Sequence, residues 1–229
     1  GADWPTEEPT SYDSVVMNPP YSQAWSGDKG FMSDQRFQPY EKLAPKGKAD
    51  FAFLLHGFYH LKNDGTMGIV LPHGVLFRGA AEGVIRKHLL ENGSIYAVIG
   101  MPANIFFSTG IPTCVVILKK NRDSRDVLFI DASKEFKAGK AQNVMEQEHI
   151  DKIVEAYHAR KDVEKFAHLA SFEEIQENDF NLNIPRYVDT FEEEELVDIA
   201  AVQERLKLHR EEAAALDEQL AGFFNELGL

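Results

Sequence analysis

Three short apolar runs in this sequence each end at a proline, and this feature restricts the fold more than any other. Proline lacks an N–H group and fixes φ, so a sheet ladder cannot continue through it. Each run is therefore predicted to be a strand that ends where its proline begins. The runs and the residues that follow them are Val15–Met17 before Asn18-Pro19-Pro20-Tyr21, Thr66–Leu71 before Pro72, and Ser94–Met101 before Pro102.

Segments with helical spacing lie between these runs. Apolar residues recur at that spacing over Ala49–Asn63, which Asp64-Gly65 ends, and Ala80–Glu91 is predicted as a second helix. Short strands rich in Val, Ile and Leu that alternate with helices are typical of an α/β domain with a largely parallel sheet. Two more strands, Thr113–Lys119 and Val127–Asp131, have no room for a helix between them. We expect these two to form an antiparallel pair at one edge.

The other segments divide the chain. Residues 22–48 are a polar loop of a length that is typical of functional loops. From Met145 to Asp179 the sequence predicts polar helices, and Asn181–Tyr187 is predicted as an extended connector. The predicted parts are an α/β domain over 1–144, a helical extension and connector over 145–190, and an acidic helix over 191–229.

The acidic helix has a heptad pattern. One set of residues recurs every seven positions, and a second set follows three residues after the first, which is the a/d seam of a coiled coil. Charged residues surround this narrow seam, so we predict a helix that binds a partner subunit. The alternative is a helix that lies along its own domain. The two sets are Ile199, Leu206, Ala213, Leu220 and Leu227, and Val202, His209, Leu216 and Phe223.

The composition excludes some classes of protein. The chain has 229 residues and a formal net charge of −13, so it lacks the overall basic character of a protein that grips nucleic acid alone. No apolar run approaches the ~20 residues of a membrane span, and we expect neither a membrane segment nor a signal peptide. The single cysteine, Cys114, lies in an apolar run and predicts a buried, reduced thiol in a cytoplasmic protein.

Asn18-Pro19-Pro20-Tyr21 places an amide, a rigid diproline and an aromatic ring at the end of a strand. In open α/β sheets, ligands bind at the carboxyl ends of strands. An exocyclic amine is a poor nucleophile because its lone pair is delocalised into the ring. The amide oxygen of Asn18 and the carbonyl of Pro19 can accept its two N–H groups and localise that lone pair. The ring of Tyr21 can stack on a base that has left its duplex.

A much longer stretch carries a family resemblance. Asn-Pro-Pro-Tyr, the block over residues 49–120, VLFIDAS at 127–133, NLNIPRY at 181–187 and the acidic tail together resemble the modification (methyltransferase, M) subunit of type I restriction–modification systems. These subunits belong to the N6-adenine DNA methyltransferase family. The resemblance implies a Rossmann-like methyltransferase domain, S-adenosylmethionine as methyl donor, DNA as substrate, and specificity and restriction subunits as partners.

The resemblance also implies roles for individual residues. Asn18, Pro19, Pro20 and Tyr21 would hold and activate the target adenine. A second aromatic face for the flipped base would come from Phe106 or Phe107, and the spacing does not choose between them. Asp50 and Phe51 would border the cofactor, and no metal is expected.

One departure from the family pattern concerns the cofactor. The family places a Gly-rich loop after the first strand of the domain, and no such loop precedes Asn18 in this sequence. The chain therefore resembles the C-terminal half of such a subunit, followed by helices. We expect it to be inactive alone and to expose an edge of its sheet that another segment covers.

Other interpretations stay open at this point. Methyltransferases of RNA bases or of a protein glutamine amide use the same tetrapeptide, and a non-catalytic scaffold that binds a specificity subunit needs no cofactor. Asn-Pro-x-Tyr is also a peptide ligand of phosphotyrosine-binding-type domains. His56 and His60 are four residues apart, which suits zinc, although core histidines are expected here. Cys114 is a conceivable nucleophile for cytosine methylation, although packing is expected.

Overall fold

The computed structural model describes residues 11–107, 109–190 and 199–227. The chain divides into two compact units, Gly1–Thr190 and Phe191–Leu229. The first unit contains a sheet and its helices, and the second contains one long helix. Residues 145–190, predicted as a helical extension, belong to the same compact unit as the sheet.

The first unit contains strands and helices in alternation, with short 3-10 turns in the connections. The strands are β1 Tyr12–Met17, β2 Leu61–Pro72, β3 Ile95–Gly100, β4 Thr113–Lys119, β5 Val127–Asp131 and β6 Ala167–Ala170. The helices are α1 Asp50–Tyr59, α2 Ala80–Glu91, α3 Gln147–Ala159 and α4 Phe172–Glu177, and α5, in the second unit, is Ile199–Leu227. The 3-10 turns are Lys29–Ser33, Gln38–Tyr40, His73–Leu76 and Ile184–Arg186.

The sheet is mixed rather than largely parallel, so that prediction is wrong. Its strand order is β1-β2-β4-β3-β5-β6. The β1–β2 and β3–β5 pairs are parallel, whereas β4 is antiparallel to both of its neighbours and β6 is antiparallel to β5. As a result β1, β2, β3 and β5 all run in one direction, and their carboxyl ends meet at one edge of the sheet.

The expected β4–β5 pair is also wrong. β4 lies between β2 and β3, and β5 lies on the other side of β3. Residues 120–126 are too few for a helix, but this short loop still passes across the start of β3 to connect β4 with β5. Arg122 stabilises the loop, because its guanidinium donates hydrogen bonds to the carbonyls of Gly93, Ile95 and Asp126 at 2.8–3.0 Å.

One boundary and one additional strand differ from prediction because strand pairing overrides local spacing. The predicted helix Ala49–Asn63 ends at Tyr59, and β2 begins at Leu61, opposite Tyr12 of β1. β6 lies in a segment that was predicted to contain only helices, and its four residues pair with β5. Neither pairing partner is near in sequence, so the local pattern could not reveal either strand.

Helices cover both faces of the sheet. On one face α1 and α2 pack with Leu54, Leu55, Ile85 and Leu89 into a cluster that also includes Phe129 of β5. On the other face α3 packs through Ile153 and Ala156 against β3 and β5. The segment after α4, predicted to be extended, instead contains a 3-10 turn and four buried side chains, namely Leu182, Ile184, Tyr187 and Val188.

β1 is the edge strand on one side of the sheet, and it ends at Met17 as predicted. Its two faces differ. Val15 and Met17 pack against the main core, whereas Val16 on the opposite face is 88% exposed. An apolar side chain this exposed in a strand is unusual for a covered sheet face. The described part of the chain therefore leaves one face of β1 open.

The described residues of the second unit, 199–227, form the helix α5. Apolar side chains of the predicted seam are largely exposed along it, namely Ile199, Leu206, Leu216, Leu220 and Phe223. Across the described ranges, no helix is both long enough and apolar enough to cross a membrane.

Candidate active site

The site lies at the edge where the carboxyl ends of β1, β2, β3 and β5 meet. Asn18 follows β1 directly, and the loop after β3 returns to the same edge, where β4 begins. β1 ends just before Asn18-Pro19-Pro20 and β3 ends shortly before Pro102, so the residues that follow these two strands leave the sheet, whereas β2 includes Pro72, which still pairs with Thr113 of β4. The short tetrapeptide after β1 and the longer loop after β3 are therefore brought together by topology rather than by sequence distance.

Asn18 and Tyr21 are directly joined. The hydroxyl of Tyr21 donates a hydrogen bond to Oδ1 of Asn18 at 2.9 Å. Partial burial raises the pKa of Tyr21, so its hydroxyl keeps the proton that it donates. Asn18 and Pro20 are exposed, and Pro19 is buried. The tyrosine thus orients the amide oxygen of Asn18 at the surface, and that oxygen has a second lone pair for another donor.

The structure distinguishes the two candidate phenylalanines. The rings of Tyr21 and Phe106 are 6.4 Å apart between centroids and lie edge to face at 74°. Phe106 is half-buried, whereas the side chain of Phe107 is 98% exposed. Of the two, Phe106 is therefore the one that the fold places beside the tetrapeptide.

A segment that the sequence analysis did not single out supports the Phe106 loop. The backbone N–H of Asn143 donates to the carbonyl of Asn104 at 2.8 Å, and its side-chain amide donates to the carbonyl of Ala103 at 2.9 Å. The side chain of Gln142 reaches the carbonyl of Ile105 at 3.4 Å. These contacts join residues about forty positions apart, and no local pattern marks them.

Asp50 and Phe51, the predicted cofactor residues, begin α1 and are both buried, with 0% and 2% of their surface exposed. Asp50 accepts the backbone N–H of Ser22 at 2.7 Å and a hydrogen bond from Arg78 at 3.1 Å. Neither side chain offers a free surface to a bound cofactor in this structure. Their contact with S-adenosylmethionine stays a prediction, and these two residues alone do not form a site for it.

His56 lies on α1 and His60 directly follows its end, with the two ring centroids 4.9 Å apart. Nδ1 of His56 lies 3.0 Å from the guanidinium of Arg36. Burial, with smaller contributions from His60 and Arg36, lowers the pKa of His56. Among residues 11–107, 109–190 and 199–227, no group of three or more His, Cys, Asp or Glu side chains is arranged to hold a metal ion.

Cys114 is fully buried in β4, and its thiol donates to the carbonyl of Leu71 at 3.5 Å. Burial raises the pKa of this thiol far above its ordinary value, so the nucleophilic thiolate is absent near neutral pH. A packing role fits these facts, and a nucleophile for cytosine methylation does not.

The burial of Cys114 gives a direct prediction. We expect an aromatic disulfide reagent to find essentially no reactive thiol in the native chain and one thiol after denaturation in guanidinium. The measurement is the absorbance of the released thiolate, with free cysteine as the control. Rapid stoichiometric reaction of the native chain would show that β4 opens to solvent.

The comparisons with known proteins agree with this geometry. The sheet and its covering helices have the Rossmann-like fold of a methyltransferase domain. The family model for N-6 DNA methylases matches residues 2–196, and the chain belongs to this family.

Two curated relatives are type I restriction enzyme methylase subunits. The MpnII subunit of Mycoplasma pneumoniae is 41% identical over 191 residues, which cover 82% of this chain and 35% of that protein. The MjaVIII subunit of Methanocaldococcus jannaschii is 37% identical over 209 residues, with 87% and 36% covered. The chain thus spans about a third of the length of these relatives.

Solved structures show the same relationship. The methyltransferase subunit of a type I restriction-modification system from Streptococcus thermophilus matches with a TM-score of 0.81 and 72% identity, over 82% of this chain and 40% of that chain. A modification subunit of a type I restriction enzyme from Vibrio vulnificus has a TM-score of 0.59 at 19% identity, over 80% of this chain and 39% of that chain. This second match shows the shared fold alone.

Proposed function

We propose that this chain is part of the modification subunit of a type I restriction–modification system. Its site would hold an adenine of DNA while the N6 amino group accepts a methyl group from S-adenosylmethionine. The observation that carries the proposal is the Tyr21–Asn18 hydrogen bond at the end of β1, with Phe106 beside it. Membership of the N-6 DNA methylase family supports the choice of adenine in DNA over the RNA and protein substrates.

In this proposal the chain activates the adenine amino group by accepting hydrogen bonds from it. Oδ1 of Asn18 accepts one N–H of the amino group, and the carbonyl of Pro19 accepts the other. Both acceptors pull the nitrogen toward tetrahedral geometry, so its lone pair becomes available for attack on a methyl group. The Tyr21 hydroxyl prevents the amide from turning, and the diproline prevents the backbone from adjusting. The acceptors are therefore in place before the substrate arrives.

Stacking holds the base in this proposal. An adenine that has left the duplex loses its stacking energy, and an aromatic ring restores about 1–3 kcal/mol of it. Tyr21 provides one face. Phe106 is the candidate for the other, because its ring lies 6.4 Å from that of Tyr21 while Phe107 is 98% exposed; the two rings are edge to face at 74° here, so one of them has to turn when a base enters.

This assignment predicts different results for two neighbouring phenylalanines. In the assembled methyltransferase, Phe106→Ala is expected to weaken binding of DNA with an extruded target base by about 10- to 100-fold, from the stacking energy lost. Phe107→Ala, the matched control, is expected to change it less than threefold. The measurement is the fluorescence of 2-aminopurine at the target position. Equal losses in the two variants, or a larger loss for Phe107→Ala, would contradict the assignment.

The cofactor needs residues beyond those of this chain. S-adenosylmethionine, when bound, supplies the methyl group. Asp50 and Phe51 are buried, and the sequence before Asn18 contains no Gly-rich loop. We therefore propose that the rest of the subunit supplies most of the cofactor site and covers the open face of β1, where Val16 is 88% exposed.

The partners in this proposal are DNA, a specificity subunit and a restriction subunit, all in the cytoplasm. The chain has a formal net charge of −13, which disfavours binding to phosphates by this chain alone, so the specificity subunit would provide sequence recognition. The exposed apolar seam of α5 supports a role in subunit binding, because such a stripe gains energy only when another helix covers it.

The seam gives a prediction with an internal control. Leu220→Asp is expected to reduce the affinity for the specificity subunit at least tenfold, because a charge would be buried in the interface. Leu208 is exposed to a similar degree, 53% against 52%, but lies outside the seam. Leu208→Asp should therefore bind as wild type. Affinity is measured by analytical ultracentrifugation of the purified subunits, and equal effects of the two variants would contradict a heptad interface.

The experiment that tests the function is a single-molecule map of N6-methyladenine in the source genome, with and without the gene. Loss of methylation at one split recognition sequence would support the proposal. An unchanged map would move the assignment to methylation of RNA or of a protein amide, or to a scaffold without catalysis.

A further inference from the structure

A buried charged cluster lies directly beneath the tetrapeptide. Asp50, at the start of α1, has no exposed surface, and Glu82 of α2 is only 3% exposed. Both carboxylates contact the same nitrogen, Nη1 of Arg78, at 3.1 Å for Asp50 and 3.4 Å for Glu82. The other oxygen of Asp50 accepts the N–H of Ser22 at 2.7 Å. Asp50 thus joins the charged cluster to the residue that follows Tyr21.

Ser22 is in a costly conformation. Its φ of 50° lies in the left-handed region, which residues with a Cβ rarely adopt. Such a conformation persists only where neighbouring contacts compensate for it. The carboxylate of Asp50 is such a contact, because hydrogen bonds to a charged acceptor are stronger than those between neutral groups. This bend determines where the backbone leaves Tyr21 and therefore where its ring lies.

The next residues are held to the same segment. The N–H of Ala49 donates to the carbonyl of Gln23 at 2.8 Å, and the N–H of Trp25 donates to the carbonyl of Lys46 at 2.9 Å. The chain after Tyr21 is therefore bound along the residues that lead into α1, with the Ser22–Asp50 bond closest to the tetrapeptide.

Arg78 is itself held in place by backbone geometry. Its own N–H donates to the carbonyl of Gly74 at 3.0 Å. A Cβ atom at Gly74 would lie 2.3 Å from the Arg78 guanidinium, so any other residue at this position would make the arginine shift from where it contacts the carboxylates. The arginine provides the positive charge without which a fully buried Asp50 would be strongly destabilising.

From this geometry we infer that Asp50 is a positioning residue for the target base. Held by Arg78, it fixes the left-handed turn at Ser22 and thereby the ring of Tyr21, and it does not contact the cofactor. The inference rests on the proposed function in one respect, namely that Tyr21 stacks on the base. It replaces the cofactor contact that the family resemblance implies for Asp50.

Two substitutions of similar size test this inference in the assembled methyltransferase complex. Asp50→Asn retains an oxygen that can accept the Ser22 N–H, whereas Asp50→Leu does not. In both variants Arg78 keeps Glu82 as a partner, so neither leaves the arginine charge unpaired. Asp123→Leu, at an exposed position in the loop before β5, controls for the loss of a carboxylate elsewhere.

Hydrogen exchange of the peptide that contains Tyr21, Ser22 and Gln23 is the first measurement. Asp50→Leu is expected to accelerate exchange there at least tenfold, with Asp50→Asn much closer to wild type and Asp123→Leu unchanged. This readout does not depend on the identity of the substrate, so it separates failure of the inference from failure of the proposed function.

Fluorescence of 2-aminopurine at the target position and binding of S-adenosylmethionine are the second measurements. Asp50→Leu is expected to reduce the signal of the flipped base and the turnover number at least tenfold, while the affinity for S-adenosylmethionine changes less than twofold. Weaker cofactor binding with unchanged exchange and unchanged base signal would overturn the inference and make Asp50 a cofactor residue. Unchanged exchange in Asp50→Leu would overturn it as well.

Discussion

Asn18→Ala is expected to lower the rate of methyl transfer by the assembled complex about 100- to 1000-fold. The variant removes the amide oxygen that the Tyr21 hydroxyl orients at 2.9 Å. Loss of one preorganised hydrogen-bonding group that acts in a transition state typically costs this much in turnover. The measurement is the initial rate of transfer of a labelled methyl group from S-adenosylmethionine to duplex DNA that contains the recognition sequence.

The control for this prediction is Asn63→Ala. Asn63 is exposed on β2, near the end of that strand that lies away from the site. We expect its replacement to leave the rate within twofold of wild type. Affinity of Asn18→Ala for DNA is expected to stay within a few-fold of wild type, because Asn18 contributes one contact among many. Full activity of Asn18→Ala would exclude the tetrapeptide as the catalytic site.

Phe129→Ala is expected to produce the largest loss of stability. Phe129 has no exposed surface, and its ring stacks on that of Tyr187 with centroids 3.9 Å apart and planes 6° apart. Replacement of a buried phenylalanine by alanine typically costs about 3–5 kcal/mol, since it removes apolar burial and leaves a cavity. The measurement is the free energy of unfolding in guanidinium, followed by circular dichroism.

Phe107→Ala is the matched control for this second prediction, because the same side chain is removed from a position that is 98% exposed. We expect it to change the free energy of unfolding by less than about 0.5 kcal/mol. A loss below about 1 kcal/mol for Phe129→Ala would show that the segment around Tyr187 does not pack on β5 in solution.

Elements with a strong local signal were predicted well from the sequence. The bounds of α2, β4 and β5 agree with prediction at both ends, and β1 ends where its prolines begin. These elements depend on apolar spacing and on the missing N–H of proline, both of which act within a few residues.

Elements that depend on distant partners were not predicted. β6 exists because it pairs with β5, and β2 starts early because Leu61 lies opposite Tyr12. β4 lies in the middle of the sheet and is antiparallel to both of its neighbours, β2 and β3. The spacing of apolar residues along the chain does not show which strands will be neighbours. Strand pairing is a long-range property, so a local pattern can predict a strand but not its neighbours.

The candidate site was likewise predicted only in part from the sequence. The sequence by itself determined Asn18, Tyr21 and their position at a strand end, because a diproline after an apolar run allows few other arrangements. Only the tertiary structure showed that Phe106, rather than Phe107, lies beside Tyr21, and only it revealed the contact of Asp50 with Ser22. The physical reason is distance along the chain: these contacts join segments that meet only when the sheet has formed, and their geometry follows from packing.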